Sequence, residues 1–182
     1  MSNIFCPEGV EFVNLIDVAL IKRGVRVVRK QLELSGKYAV YQNSLTPLGY
    51  YDRYNCKGDT TFIISAGSAG EIGYSDSDFW AADDCIYFDC FKNLTSKFLY
   101  YVLMNMKYYL LSQVRRASVP RLPRNIIEKL RIPLPPLEVQ HKIASILDKF
   151  TELEINLKRE LELRRKQYEY YRDKLLTFNE KE

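Results

Sequence analysis

Residues 137–176 read LEVQHKIASILDKFTELEINLKRELELRRKQYEYYRDKLL and contain neither glycine nor proline. Glu138 falls in the first turn, where a carboxylate interacts favourably with the helix dipole. The run predicts a single helix of about 60 Å, at a rise of 1.5 Å per residue. Because such a helix extends beyond any compact domain that the preceding residues can form, we expect it to need a partner helix.

Apolar side chains recur along this predicted helix at steps of three and four residues, with one extra four-residue step from Leu157 to Leu161. Oppositely charged pairs at i,i+4, such as Glu154 and Lys158, support the helix on its outer faces. The pattern predicts a coiled-coil seam, here called the stripe, that consists of Ile146, Phe150, Leu153, Leu157, Leu161, Tyr168, Tyr171 and Leu175.

The residues before Pro136 have a mixed texture that predicts both helices and strands. Helices are predicted over 11–22 and over 96–114, the second with Thr95 or Ser96 as its N-cap. Strands are predicted in VRVV (25–28), in the tyrosine-rich segment 37–55, in TTFIISAG (60–67) and in DDCIYFDCF (83–91). The chain is therefore predicted to be an α+β protein, with a globular mixed α/β domain at 1–136 and a long coiled-coil-forming helix at 137–179.

The basic excess of the chain belongs to its first part. Residues 1–137 contain 17 Lys and Arg against 13 Asp and Glu, whereas residues 138–182 contain 10 of each. Basic residues cluster within 22–30 and within 115–131, and acidic residues gather within 76–89. This distribution predicts a polarised surface and favours a nucleic-acid partner more than the modest net charge of +4 does.

The sequence offers little for catalysis or metal binding. Its four cysteines (Cys6, Cys56, Cys85 and Cys90) form no CxxC pair, and its one histidine, His141, lacks a nucleophile motif nearby. We therefore expect reduced thiols, no zinc site and no histidine-based triad. We also find no carboxylate–lysine set for a nuclease metal ion, so no bound metal is expected.

The glycine-bearing segment GSAGEIG (67–73) matches neither the dinucleotide-binding turn nor a P-loop. It predicts a tight loop between strands in which two backbone segments approach closely. A glycine-rich AdoMet turn is absent too. No uninterrupted run of 18 apolar residues and no signal peptide are seen, so we expect a cytoplasmic protein without a membrane partner.

The combination of IPLPPLEVQHKIASILDKF (132–150) and RRKQYEYYRDKLLTF (164–178) resembles the conserved helical region of specificity subunits of type I restriction–modification enzymes. Upstream, CPEGVEFVNLIDVALIKRG (6–24), YYDRYN (50–55) and ISAGSAGEIGYSDSDFWAADDC (64–85) resemble the framework of that family's target recognition domains. Family members usually carry two recognition domains and two helical regions. This chain shows one of each and resembles a half subunit.

The resemblance implies a non-catalytic DNA-binding subunit. In the family, each recognition domain reads one half of a split DNA site, and the conserved helices pack antiparallel as a spacer. Modification subunits methylate adenine, and a restriction subunit adds ATP-driven translocation and cleavage. AdoMet, ATP and Mg²⁺ are accordingly expected on partner subunits, with no cofactor on this chain. The expected partners are double-stranded DNA, the modification and restriction subunits, and a second copy of the chain.

Recognition domains vary between family members, so the candidate DNA contacts rest on side-chain chemistry alone. Arginine and lysine suit phosphate or guanine, and asparagine and glutamine suit adenine. The candidates are Lys22, Arg23, Gln42, Asn43, Lys57, Ser68, Arg115, Arg116, Arg121 and Arg124. Two alternatives stay open: a coiled-coil interaction protein without DNA specificity, and a small stand-alone DNA-modifying enzyme.

Overall fold

The computed structural model describes residues 4–178 and divides the chain into two units, with the division between Ala144 and Ser145. The helices are α1 (Leu15–Val18), α2 (Ser96–Asn105), α3 (Lys107–Ser112), α4 (Arg124–Glu128) and α5 (Leu137–Leu176). The strands are β1 (Phe12–Asn14), β2 (Leu20–Arg23), β3 (Tyr38–Tyr41), β4 (Gly49–Tyr51), β5 (Thr60–Ile64), β6 (Ile72–Ser75), β7 (Trp80–Ala81), β8 (Cys85–Asp89) and β9 (Arg131–Pro133). The predicted α+β fold with a long C-terminal helix is confirmed.

Among the described residues, the first unit contains three small sheets. The largest is antiparallel, with the strand order β2-β8-β5-β6. A second sheet has the order β4-β3-β7, in which β3 pairs antiparallel with β4 and parallel with β7. In the third, β1 pairs antiparallel with β9, so segments from the two ends of the domain meet.

The central strand β5 is buried on both faces, as the apolar run in TTFIISAG predicts. On one face, the Thr61 hydroxyl donates to the carbonyl of Ser96 (2.7 Å) at the start of α2, and Leu99 and Leu103 of that helix lie in the core. On the other face, Phe62 packs against the ring of Phe79 at a centroid distance of 5.1 Å. The strand thus separates two apolar clusters.

The predicted helix over 11–22 is wrong, because this segment forms β1, the single turn α1 and β2. Leu15, Val18 and Ile21 are buried as the spacing requires, but Phe12 is 50% exposed. Leu20–Arg23 pairs with β8, and Phe12–Asn14 pairs with β9. These long-range ladders satisfy the backbone hydrogen-bonding groups of both segments and of their partner strands β9 and β8. The strand pairing therefore overrides the local helical pattern of the sequence.

Three further predictions need correction. The segment VRVV is not a strand. The Val25 N–H donates to the carbonyl of Ala81, and the Val25 carbonyl accepts the indole N–H of Trp80. The loop predicted in GSAGEIG (67–73) is shorter, because β6 begins at Ile72. The helix predicted over 96–114 is interrupted at Met106, whose N–H donates to the carbonyls of Val102 (3.1 Å) and Leu103 (3.0 Å). Its predicted cap is confirmed, since the Thr95 hydroxyl accepts the N–H of Phe98 (3.4 Å).

The first turns of α5 belong to the first unit. Gln140 is fully buried there, and its amide oxygen accepts the N–H of Thr95 (2.9 Å). Its amide nitrogen donates to the carbonyls of Asn93 and Pro135, both at 2.8 Å. The helix therefore begins at the predicted residue, while the compact unit continues to Ala144. Of the predicted helical region 137–179, Asn179 lies outside the described residues.

The second unit is the remainder of α5, which continues to Leu176. Its surface carries i,i+4 ion pairs between Glu154 and Lys158 and between Glu160 and Arg164. Both agree with the charge spacing in the sequence.

Candidate nucleic-acid interface

Four loops of the first unit are joined to one another by backbone hydrogen bonds. The N–H of Ser68 donates to the carbonyl of Asn43 (2.9 Å), and the N–H of Gly67 donates to the carbonyl of Pro120 (3.1 Å). The N–H of Ser65 donates to the carbonyl of Asp84 (2.7 Å). We call these loops, residues 42–48, 65–71, 82–84 and 113–123, the loop edge. Segments far apart in sequence therefore form one continuous surface.

Gly67 is the residue that permits this close approach. Its φ of +86° is favourable for glycine and strained for other residues. A Cβ atom at this position would lie 2.7 Å from the Asn43 carbonyl oxygen and 2.8 Å from the Asn43 Cβ atom. The predicted role of GSAGEIG, a tight loop with close backbone approach, is confirmed.

The basic segment after α3 forms a closed loop on this edge. Arg115 and Arg121 exchange backbone hydrogen bonds of 2.8 and 3.1 Å, which close a loop of residues 116–120. Arg115, Arg116 and Arg121 are exposed. Within residues 4–178, the structure shows no carboxylate in an ion pair with any of these three arginines. Their charges are directed at solvent and are available to an anionic partner.

Asp83 connects two more candidates to the same edge. Its carboxylate accepts the side-chain amide of Gln42 (3.3 Å), and its backbone carbonyl accepts the Nε–H of Arg23 (2.6 Å). Asn43 and Ser68 are exposed beside this group. The sequence does not identify Asp83 as the residue that connects Gln42 and Arg23, because the only local signal at Asp83 is an acidic cluster.

Lys22 and Arg124 have partners within the protein. Lys22 Nζ lies 2.6 Å from the Asp89 carboxylate on the paired strand, and this hydrogen bond raises the pKa of Lys22 and lowers the pKa of Asp89. Arg124 Nε lies 2.7 Å from Glu128, and its Nη2 donates to the carbonyl of Ile21 (3.0 Å). Both side chains therefore have partners within the domain, and their charges are partly neutralised.

Lys57 lies apart from the other candidates. It is exposed in the loop between β4 and β5, and the N–H of the following residue, Gly58, donates to the Asp78 carboxylate (2.8 Å). Asp59, two residues on, accepts the hydroxyl of Tyr74 (2.7 Å). The surroundings of Lys57 are therefore acidic, and no hydrogen bond among the described residues joins this loop to the loop edge.

The second unit presents its apolar side chains to solvent. All eight predicted stripe residues are exposed, from 37% for Ile146 to 70% for Leu175. Sequence reasoning did not count Ile155, Leu163 and Tyr170, which are equally exposed on other faces of the helix. A single copy of this helix leaves the whole stripe uncovered.

Three further features concern the metal-ligating side chains, the cysteines and the possibility of a membrane-spanning helix. Between residues 4 and 178, no group of three or more His, Cys, Asp or Glu side chains is arranged to hold a metal ion. The four cysteines are unpaired, and burial raises the pKa of the Cys56 thiol to about 12. None of the helices described is long and apolar enough to cross a membrane.

The first unit is an α+β domain that gathers arginine-bearing loops at one edge, and the chain continues from it into a long helix. Residues 7–164 match the family model described as the type I restriction modification DNA specificity domain. The chain therefore belongs to the type I restriction–modification specificity family.

Individual relatives agree with this assignment. A protein of Mycoplasma pneumoniae named as a type I specificity subunit is 34% identical over 166 residues, which cover 88% of this chain and 45% of that protein. A Haemophilus influenzae protein named as a type I restriction enzyme specificity subunit is 36% identical over 186 residues, with coverages of 94% and 47%. The chain spans about half the length of these relatives.

Solved structures show the same fold. The crystal structure of the type I restriction–modification S subunit of Mycoplasma genitalium superposes with a TM-score of 0.73 at 23% identity, covering 91% of this chain and 46% of that one. The HsdS subunit of Thermoanaerobacter tengcongensis superposes with a TM-score of 0.64 at 20% identity, with coverages of 85% and 40%.

Proposed function

We propose that this chain is a non-catalytic specificity subunit that reads one half of a bipartite DNA site with its loop edge. The observation that supports this role most strongly is the set of three exposed arginines, Arg115, Arg116 and Arg121, on loops held together by backbone hydrogen bonds. Cationic side chains without internal partners bind phosphate or guanine, and a rigid loop scaffold fixes where they point.

The neighbouring polar side chains are suited to reading bases. Asn43 is exposed and suits the adenine edge, to which asparagine can bind with two hydrogen bonds. Gln42 already donates its amide to Asp83, so it retains less hydrogen-bonding capacity for a base. Arg23 and Ser68 lie beside them. Lys22, Lys57 and Arg124 serve as weaker phosphate contacts, because carboxylates lie near each of them.

The chain acts as a homodimer in this proposal. The exposed stripe needs a partner, and a second copy provides an identical one through a two-fold axis. Antiparallel pairing presents two identical loop edges in inverted orientation, so the target is a split palindrome with an unread spacer. The exposed stripe also fits a coiled-coil interaction protein without DNA specificity. DNA affinity distinguishes the proposed specificity subunit from this alternative.

The remaining roles belong to partner subunits. The chain recruits modification and restriction subunits, and AdoMet, ATP and Mg²⁺ bind to those subunits. Binding to chromosomal DNA with these partners implies that the chain works in the cytoplasm. In this proposal the chain, as a specificity subunit, performs no chemical step itself.

Salt-dependent DNA binding tests the reading role. The affinity of the chain for a random-sequence duplex is measured by fluorescence anisotropy at several salt concentrations, for the unmodified chain and for the triple variant Arg115→Gln/Arg116→Gln/Arg121→Gln. Every arginine that binds a phosphate contributes about one to the slope of log affinity against log salt, so the triple variant is expected to have a shallower slope. Arg53→Gln, at an exposed arginine outside the loop edge, is the control and leaves the slope unchanged.

An unchanged slope and affinity in the triple variant rule out the loop edge as the DNA surface. A chain that dimerises but shows no salt-dependent DNA affinity is the coiled-coil interaction protein instead.

A further inference from the structure

One charged residue of α5 lies on the same face of the helix as the stripe, near the middle of the stripe. At 100° per residue, nine side chains between residues 146 and 175 fall within a wedge about 80° wide. Eight are the predicted stripe residues, and the ninth is Arg164, in the gap between Leu161 and Tyr168. Arg164 lies 3.7 Å from Glu160 of the same helix, and Glu160 is at the border of the wedge.

The positions of the stripe residues are symmetric about a point between Glu162 and Leu163. Counted outward from this point, three pairs are equidistant and a fourth is equidistant to within one residue. The pairs are Leu161 with Arg164, Leu157 with Tyr168, Leu153 with Tyr171, and Phe150 with Leu175. A two-fold axis at this point places each residue of one copy opposite its pair-mate in the other copy.

We propose that two copies of α5 pair antiparallel about this point, so that Arg164 of each copy meets Glu160 of the other. The inference rests on the proposed antiparallel homodimer and adds its register and the charged cluster at its centre. Two arginines and two glutamates then alternate around the axis, and each arginine has a carboxylate from both copies. An isolated polar residue in an apolar seam fixes direction and register at some cost in stability.

Other arrangements of the same two helices are less favourable. Parallel pairing opposes Arg164 to Arg164 inside the seam, where like charges repel. An antiparallel slip of seven residues in one direction opposes Leu175 to Ile143, which already packs against the core of the first unit. The opposite slip leaves Phe150 and Leu153 facing positions beyond Leu176, where α5 ends. The central register covers the stripe from residue 150 to residue 175.

The register also pairs side chains of complementary size. The first half of the stripe is mainly aliphatic, with Leu153 and Leu157, and the second half contains Tyr168 and Tyr171. Antiparallel pairing places a leucine opposite a tyrosine in both of these layers, so the layers have similar volumes. Parallel pairing places tyrosine against tyrosine and leucine against leucine, which makes the helix separation uneven.

Cross-linking of introduced cysteines tests the direction and the register. The background variant is Cys6→Ser/Cys90→Ser, since Cys56 and Cys85 are buried. A short bis-maleimide is added to the full chain after sedimentation has shown a dimer. The pair Leu157→Cys/Tyr168→Cys is expected to yield covalent dimers. Neither substitution alone is expected to do so, because residue 157 of one copy lies about 16 Å along the axis from residue 157 of the other.

Two control pairs report the slipped registers: Leu157→Cys/Leu175→Cys for one slip and Phe150→Cys/Tyr168→Cys for the other. Neither is expected to cross-link. Arg164→Leu in the Leu157→Cys background is expected to produce self-cross-linked dimers, because the charge that opposes parallel pairing is gone.

The outcomes separate the inference from the proposal beneath it. Self-cross-linking of Leu157→Cys with Arg164 intact refutes the antiparallel pairing of the proposed homodimer, and cross-linking of a control pair overturns the register. Dimers that fail to cross-link through Leu157→Cys/Tyr168→Cys overturn the interface. An unchanged pattern in Arg164→Leu overturns the role of the charge. A monomer in sedimentation refutes the homodimer itself.

Discussion

Replacing Phe150 and Leu157 with glutamate is expected to convert the proposed dimer into a monomer. The two side chains are 62% and 57% exposed on the single helix. Complete burial of a side chain of this size contributes about 1.5–3 kcal/mol, so covering the exposed part contributes about 1–2 kcal/mol for each. A two-fold interface contains both residues twice, and the four side chains together contribute about 4–7 kcal/mol. This free energy corresponds to a factor of about 10³–10⁵ in the dissociation constant, before any cost of burying the new carboxylates.

Sedimentation velocity over a dilution series measures this change. The matched control is Ile155→Glu/Leu163→Glu, at residues that are 60% and 58% exposed and that project away from the stripe. The control variant is expected to remain a dimer, because its new charges face solvent. Dimerisation of the Phe150/Leu157 variant with the affinity of the unmodified chain, or equal dissociation of both variants, would refute the reasoning.

Three further predictions concern the first unit. Lys22→Gln is expected to change the salt slope of DNA binding less than Arg115→Gln does, since Asp89 already pairs with Lys22; equal changes in anisotropy titrations would contradict the assignment. Gln140→Ala leaves three backbone groups without their hydrogen-bond partner. We expect this variant to lose about 3 kcal/mol of unfolding free energy, which lowers its Tm in thermal unfolding by about 10 °C. The control His141→Ala, at an exposed residue, is expected to leave the Tm almost unchanged. The purified chain alone is expected to show no methyl transfer, DNA cleavage or ATP hydrolysis, and methylation from AdoMet by a partner-free preparation would disprove this.

The sequence predicts best where the pattern is local. The long helix from Leu137 is predicted correctly because it lacks breakers and keeps one apolar stripe. The strands Thr60–Ile64 and Cys85–Asp89 are predicted because each is a short apolar run between turn residues. The segment 11–22 is mispredicted because its backbone pairs with β8 and β9, which follow it at a large sequence separation. Local periodicity contains no information about such partners.

The loop edge shows the same limit at the candidate site. The arginine cluster and the glycine loop are visible in the sequence, and both lie on this edge. The bonds that bring them together, from Ser68 to Asn43 and from Gly67 to Pro120, involve backbone atoms that leave no side-chain signature. The pairing of Lys22 with Asp89 is also invisible, because it depends on the register of β2 with β8. Side-chain chemistry therefore identifies candidate residues in the sequence but cannot rank them.

Mapping of adenine methylation tests the proposed reading of DNA most directly. The chain is produced together with its host's modification subunit in cells that lack adenine methylation, and methylated positions are located across the genome. We expect one methylated sequence that consists of two identical half-sites, inverted around a spacer of constant length, and that disappears when Phe150→Glu/Leu157→Glu replaces the unmodified chain. A methylated sequence with two unrelated halves, or the same methylation without this chain, would contradict the proposal.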